Sequence, residues 1–448
     1  MKKRTFLKLS SVMMAGTVLT PLIDLAQDTK LKNWAGNLTY STSNLQSASS
    51  VEETRALVRQ YDRMKVLGTR HCFNNIADSN HHLVSLLSMN KAIALDTHRH
   101  TVTVESGIRY GELAVFLEDN GYALHNLASL PHISVAGGCA TGTHGSGVNN
   151  ANLSSEVKAF ELITAAGDTV SLSREKNSEL FTGAVIHLGG LGVITKMTLA
   201  VQPTYQIRQY VYENLPIQQL EHHFEEIMSA GYSVSLFTLW RNRNIDEVWI
   251  KSRVGDGATF GQQHEFFGGT AATKNVHPIP GMPAENCTPQ MGVPGPWHER
   301  LPHFKMGFTP SGGHELQTEY FVPREYSYAA IKAVEQLRDK VSPHLLISEI
   351  RCIAADDLWM SPCYHQPSTT LHFTWKPDWP SVSKVLPLIE EQLAPFHAKP
   401  HWAKLFTVSH QRLQSLYKRM PDFQELLRHY DPKGKFRNNY LDKVIFGA

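Results

Sequence analysis

Apolar positions between Val51 and Thr204 recur with two different periods in short alternating stretches. Val51 to Tyr61 has the helical spacing, with Leu57 and Val58 on one face, and Lys65 to Leu67 is a strand that runs into a glycine-containing turn. Thr101 to Glu105 alternates with the period of two of a half-buried strand, and Tyr110 to Asn120 predicts an amphipathic helix that Gly121 ends. Further strands are predicted at Phe160 to Thr164, at Thr169 to Leu172 after the Ala166-Gly167-Asp168 turn, and at Val193 to Val201. Beyond them, helical patterns at Leu215 to Ala230, Tyr326 to Lys340 and Val382 to Leu393 alternate with strands at Ser233 to Leu239, Leu316 to Phe321, Leu345 to Ile353 and Thr369 to Trp375. The expected class is α+β: a first lobe of small sheets, then a second lobe with helices laid on an antiparallel sheet. The Pro/Gly-rich interval from Gly255 to Gly313 is expected to form long surface connections within that second lobe.

Composition changes this picture little. At 448 residues the chain exceeds the roughly 250 to 300 at which single cores stop growing, so two or three lobes are expected. Its 43 basic and 41 acidic side chains nearly cancel, which gives no reason to expect binding to nucleic acid or to anionic lipid. The 23 histidines are scattered, with no H-E-x-x-H or C-x-x-C, so no metal is expected. The five cysteines are read as core thiols, with a Cys352–Cys363 pair as the alternative in an oxidising compartment. Residues 1–26 have the layout of an export signal: Lys2-Lys3-Arg4, then a weakly apolar run from Ser11 to Ile23. Lys3 to Lys8 resembles a twin-arginine signal with lysine for the first arginine. A periplasmic or secreted protein without a stable membrane span is therefore expected, and a monomer.

The chemistry lies first in two glycine-containing segments. Leu67-Gly68-Thr69-Arg70-His71-Cys72-Phe73 turns sharply after a strand and leaves N–H groups free to face a pyrophosphate. In Leu127 to Gly147 small residues fill so many positions that the backbone must approach something closely, and Ser134, Thr141 and Thr143 add hydroxyl donors. Neither segment reads strand, G-x-G-x-x-G, helix, and G-x-x-x-x-G-K-[ST] is absent, which disfavours a nicotinamide-type site and a nucleotide triphosphatase. Together with His187 to Thr195, these segments resemble the FAD-binding lobe, of the PCMH type, of the vanillyl-alcohol-oxidase superfamily, in its sugar-alcohol and aldonolactone branch. The resemblance implies FAD bonded covalently to His71 and lined by Leu67, Gly68, Thr69, Arg70, Cys72, Ser129, Ser134, Gly137, Thr141, Gly142, Thr143, His144 and Ile194. Asp431 to Leu441 resembles the closing segment of that family. The implied organisation is an FAD domain over 30–205, a substrate domain over 206–425, and a segment 426–448 that returns to the FAD domain.

In the second lobe the period of two sets Glu349 beside Arg351 on one strand face and His372 beside Thr374 on another. Spacing alone is equally that of solvated faces, and Glu349 with Arg351 is equally a surface ion pair. With Gln317 and Lys404 these positions match the active-site pattern of alditol oxidases. That resemblance implies Lys404 and Arg351 around the reacting hydroxyl of a polyol, Lys404 on the base side, His372 beside them, and Ser129, Gln317, Glu349 and Thr374 binding further hydroxyls. It implies hydride transfer to the flavin and reoxidation by dioxygen, with Ala128 at the place that gates oxygen. Two alternatives stay open: an aldonolactone oxidase or dehydrogenase of the same fold, and a secreted carbohydrate-binding protein without redox chemistry.

Overall fold

The computed structural model describes residues 30–256, 263–307 and 314–448; the export signal read at 1–26 lies outside them. In the first lobe, five antiparallel strands run in the order Ala92–Asp96, Thr101–Glu105, Val193–Ala200, Val157–Ile163, Thr169–Ser173. The alternation in Thr101–Glu105 buries Val102 and Val104, which pair with Leu199 and Met197. The helix Tyr110–Asp119 buries Tyr110, Leu113, Ala114 and Leu117 on its apolar stripe. Gly121, at φ +79, reverses the chain after it, a conformation that disfavours a Cβ. A small parallel sheet of Leu45–Ser47, Leu83–Ser85 and Lys65–Leu67 stands beside this layer and delivers the chain to Gly68.

The second lobe is one long antiparallel sheet. Its central strands lie in the order Gln206–Pro216, Asn244–Arg253, Ser233–Thr238, Leu345–Ile353, Ser368–Trp375, Leu316–Pro323. One face is apolar: Val234, Leu236, Ile350, Leu371, Phe373, Trp375, Leu316 and Tyr320 pack against the helices Gln219–Met228, Ser327–Glu335 and Trp379–Leu393. Period-two alternation sends the intervening polar residues to the opposite face, toward the first lobe.

The structure corrects several expectations here. The helix read from Leu215 begins only at Gln219, because Leu215 closes the strand Gln206–Pro216 by pairing with Ile245. The helix read over Tyr326 to Lys340 is broken after Glu335 and resumes as Arg338–Val341. The long strands Gln206–Pro216 and Asn244–Arg253 and the short helix Val135–Ala140 were not anticipated. The described part of the Gly255 to Gly313 interval runs over the surface for much of its length, as expected, but it also drives Trp297, Cys287, Leu301 and His303 into the interior. Short strands within it, Gly269–Ala271 and Gly295–Pro296, pair with Gln206–Pro216, and side chain to backbone bonds hold the stretches between, as where the Thr288 hydroxyl donates to Pro302 O at 2.7 Å and Gln209 Nε2 to Thr288 O at 3.4 Å.

Backbone bonds tie the lobes together. Gly147 N–H donates to Cys352 O at 2.8 Å, Ala354 N–H to Asn150 O at 2.9 Å, and Phe73 N–H to Ala403 O at 2.8 Å. The last residues lie on the first lobe: Met64 N–H donates to Lys435 O at 2.9 Å, and Asn438 Nδ2 donates to the carbonyls of Asn75, Ile76 and Asp78. All five cysteines are free thiols, four of them buried.

Candidate active site

Where the strand Lys65–Leu67 ends, Arg70 takes a left-handed φ of +63, and the turn faces the segment that starts at Ser134. Ser134 N–H donates to Thr69 Oγ1 at 3.2 Å. A Cβ on Gly68 would stand 2.8 Å from Ser134 Oγ, and one on Gly137 2.7 Å from the same atom, so a side chain at either position would displace the Ser134 hydroxyl. Three cavities follow this seam, of about 190, 120 and 90 Å³, and share wall residues so that they form one trough. The middle cavity is lined by Leu67, Gly68, Thr69, Arg70, His71, Cys72, Ser134, Gly137, Thr141 and Thr143. Ile194 lines the far one; Ala128, Ser129 and His144 line the near one. Gly142 lines none of them: its φ of +67 turns the chain, and the side a Cβ would occupy faces Ile186 and Pro362.

Buried polar atoms without a partner border this trough: both ring nitrogens of His71, Ser106 Oγ and His187 Nε2. Such atoms cost free energy unless a ligand completes them. A long, glycine-floored trough with unpaired donors and acceptors along it fits FAD. Burial pushes His71 down to about 4, with His132 next in effect, so its imidazole is neutral. Ser106, His187 and Trp34, which stacks on His71, were not read as site residues from the sequence.

The near cavity ends on the polar face of the large sheet. Register aligns Phe237, Glu349, His372 and Glu319 across four strands, and Ile347, Thr374 and Gln317 in the next row. Glu349, Arg351, Gln317, His372 and Thr374 are each less than 9% exposed, which removes the surface ion-pair reading of Glu349 and Arg351. Lys404 arrives from the edge, where Leu405 N–H donates to Gln317 O at 2.9 Å. Asn74 Nδ2 clamps it from the first lobe by donating to Lys404 O at 2.7 Å. The Lys404 ammonium bonds Gln317 Oε1, which also accepts from His372 Nε2 at 3.2 Å.

Glu319, two residues from Gln317 on the same strand, is the charge centre that sequence reading missed. Its Oε1 takes Arg351 Nη2 at 2.7 Å and lies 3.2 Å from His144 Nε2 across the lobe boundary. Burial alone would raise this carboxyl, but His144 and Arg351 outweigh it and hold it well below the usual range. Glu349 is likewise held low, by Arg351 and His303 against burial. Burial lowers Lys404, Arg351 adds to the shift, and Glu319 and Glu315 oppose it. Burial takes His372 down to about 3. His144, Glu319 and His401 bring ligand atoms within 4.8 Å of one another, yet the Glu319 oxygen there is committed to Arg351. The arrangement offers a lysine of weakened basicity, a fixed guanidinium and several neutral hydrogen-bonding groups around one small space: equipment for removing a proton from a hydroxyl and holding a polar substrate.

Residues 44–173 match the model of the FAD binding domain, and residues 314–444 that of D-arabinono-1,4-lactone oxidase. The chain is 44% identical over 94% of its length to the whole of an alditol oxidase from a Streptomyces species. It is 26% identical to L-gulonolactone oxidase of Scyliorhinus torazame, over 93% of this chain and 98% of the relative. Among solved structures, cholesterol oxidase from B. sterolicum superposes with a TM-score of 0.76 at 13% identity, covering 96% of this chain and all of the other, a likeness of fold.

Proposed function

Because the chain belongs to the alditol oxidase family of FAD-dependent oxidoreductases in the vanillyl-alcohol-oxidase superfamily, we propose that it oxidises the primary hydroxyl of a sugar alcohol of the xylitol or sorbitol type to the aldose, with dioxygen reduced to hydrogen peroxide. Family membership makes it an oxidoreductase with FAD and sets aside the redox-free binding protein. The observation that carries the substrate reading is the row of buried polar side chains, Gln317, Glu349, Arg351, His372 and Thr374, that meets Lys404 at the mouth of the trough.

Bound FAD supplies the acceptor for the hydride that leaves the carbinol carbon. His71, neutral and without hydrogen-bond partners at either ring nitrogen, is its covalent tether. Lys404 takes the hydroxyl proton, which its lowered basicity and the adjacent Arg351 allow. Arg351, braced by Glu319 and Glu349, holds the oxygen that loses that proton. His372, uncharged, accepts or donates to a neighbouring hydroxyl, while Ser129, Gln317, Glu349 and Thr374 fix the rest of the polyol. Ala128 lines the near cavity with a single methyl group, which leaves room for dioxygen.

Anaerobic bleaching of the flavin by a panel of sugar alcohols, followed by air, tests this. Bleaching by xylitol or sorbitol and recovery with peroxide is expected; no bleaching by any polyol ends the reading, and bleaching without recovery in air ends the oxidase part. A second reading, an aldonolactone oxidase or dehydrogenase, is favoured by the match of residues 314–444, which include three strands of the polar face. Gulono-lactone bleaching faster than every polyol would establish it. Export rests on residues 2–26, and N-terminal sequencing of the periplasmic fraction tests it.

A further inference from the structure

His303 enters the site from the irregular interval, not from the sheet. Its ring is held edge-on by Phe237, with centroids 5.5 Å apart, and by Trp249 at 5.3 Å. Its side chain is 6% exposed, and its two nitrogens face different partners. Nδ1 is 3.1 Å from the Nζ of Lys251, which is fully buried and also donates to Leu301 O and to Pro302 O. Against burial, Arg351 and His303 hold Glu349 ionised, and a carboxylate only accepts, so the ring proton sits on Nε2, which donates to Glu349 Oε1 at 2.8 Å. The neutral ring then leaves Nδ1 as an acceptor facing Lys251. The same carboxylate oxygen faces Arg351 Nε at 3.5 Å. Among the described residues Oε2 of Glu349 takes no hydrogen bond, and Glu349 lines the near cavity.

We propose that His303 is a positioning residue for substrate selection: with Lys251 fixing its tautomer, it pins Glu349 by Oε1 so that Oε2 alone is presented to one hydroxyl of the polyol. This rests on the sugar-alcohol reading above. Burial keeps the imidazole uncharged, down to about 4, so the brace adds a directed N–H without a second cation beside Arg351. His303 shares the wall of the near cavity with Glu349, whereas Lys251 lies behind it and lines none of the three cavities; neither bonds Lys404, and the effect proposed here passes through Glu349.

The test compares holoenzymes of wild type, His303→Ala and His303→Gln, checked for equal flavin content, on the best polyol and on its singly deoxygenated analogues. His303→Ala is expected to raise KM about tenfold, the scale of one hydrogen bond to a charged group, while kcat moves far less. The Gln amide, whose Nε2 reaches the place of the imidazole Nε2, is expected to recover most of that loss. One deoxy analogue, lacking the hydroxyl that Glu349 receives, is expected to show no penalty from His303→Ala. If His303→Ala gives no folded holoenzyme, Lys251→Met replaces it, with the same rise in KM expected. Wild-type KM in His303→Ala, a uniform penalty on every analogue, or no recovery in His303→Gln overturns the proposal. A wild type that oxidises no polyol overturns the underlying reading instead, so the two failures are distinct.

Discussion

Trp34 lays its indole over the imidazole of His71, with centroids 5.2 Å apart and planes 18° from parallel. Among the described residues no side chain or backbone group makes a hydrogen bond of good geometry to either buried ring nitrogen of that histidine, which leaves the imidazole available for a bond to the flavin. His71→Ala is expected to fold and to bind FAD, but to release it in denaturant, whereas wild type keeps its yellow colour through acid precipitation. Colour that stays with the precipitated variant would move the tether elsewhere.

The stacking has a second consequence. Trp34 N–H donates to Arg70 O at 2.8 Å and Asn33 Nδ2 to Cys72 O at 2.9 Å, so residues 33 and 34 grip the His71 turn from both sides. Trp34→Ala frees the imidazole to rotate and is expected to lower the covalently bound fraction of flavin severalfold, with Trp34→Phe close to wild type. In-gel fluorescence after denaturation reads this directly, and an unchanged covalent fraction in Trp34→Ala removes the indole from that role.

Part of this site was legible because a strand exposes its logic in the sequence. Glu349 with Arg351 and His372 with Thr374 share faces by period alone, and the structure joins those faces into one wall. Glu319 obeys the same rule relative to Gln317 and was available to the same reading, yet one strand's sequence does not reveal that its partner, His144, comes from another lobe. His303 and Lys251 were beyond reach for a different reason. They are brought together by an irregular chain whose buried side chains, Trp297 and Cys287 among them, follow neither period. Proline and glycine content marks where regular structure stops, and it says nothing about whether the chain then runs outside or inside. Similarly, the spacing of Leu215, Ile217 and Leu220 mimics a helix face, and only the pairing of Leu215 with Ile245 assigns the first of them to a strand.

Lys404 is the group whose removal should cost chemistry and not binding of the cofactor. Lys404→Ala keeps the glycine-floored trough intact, and turnover is expected to fall by about 10² or more at unchanged flavin content. Stopped-flow bleaching isolates the step; a variant that bleaches at the wild-type rate acquits the lysine.

Glu319 balances Arg351 and faces His144 across the lobe boundary, at 2% exposure. Its removal leaves a buried guanidinium with Glu349 as its one remaining carboxylate, a class of change that costs about 3–5 kcal/mol. Glu319→Ala is thus expected to lower the urea midpoint markedly, and Glu319→Gln less, because the amide oxygen still accepts from Arg351. Equal stability of Glu319→Ala and wild type contradicts the assignment of this residue as the charge centre.

Acid should unsettle the protein before its carboxylates titrate. Burial holds His187 and His303 at about 4 and His372 at about 3, and it lowers His401 well below the 6.5 of an ordinary imidazole. Each stays neutral when folded, and each takes up a proton when unfolded below 6.5, so stability is fully present above that value and is lost as pH falls through it toward the folded values. Four carboxyls work in the opposite sense: burial raises Asp246 and Glu390, takes Asp356 to about 6 and Glu247 to about 8, and all four bind protons more readily when folded. Burial also lowers His125, His277 and His298, so that, the proposed tether His71 aside, seven imidazoles against four carboxyls leave the unfolded chain binding more protons near pH 5, at roughly 1.4 kcal/mol per pH unit for each net proton. Below 4.5, Glu319 and Glu349 add to the loss, since both are depressed in the folded state and must be protonated on unfolding. Urea denaturation of the holoenzyme at pH 7, 6 and 5 is expected to show a falling midpoint across that series. A flat profile between pH 7 and 5 would mean that these imidazoles are solvated or charged in the folded protein, and with them would go the uncharged His372 that the substrate reading sets beside Lys404.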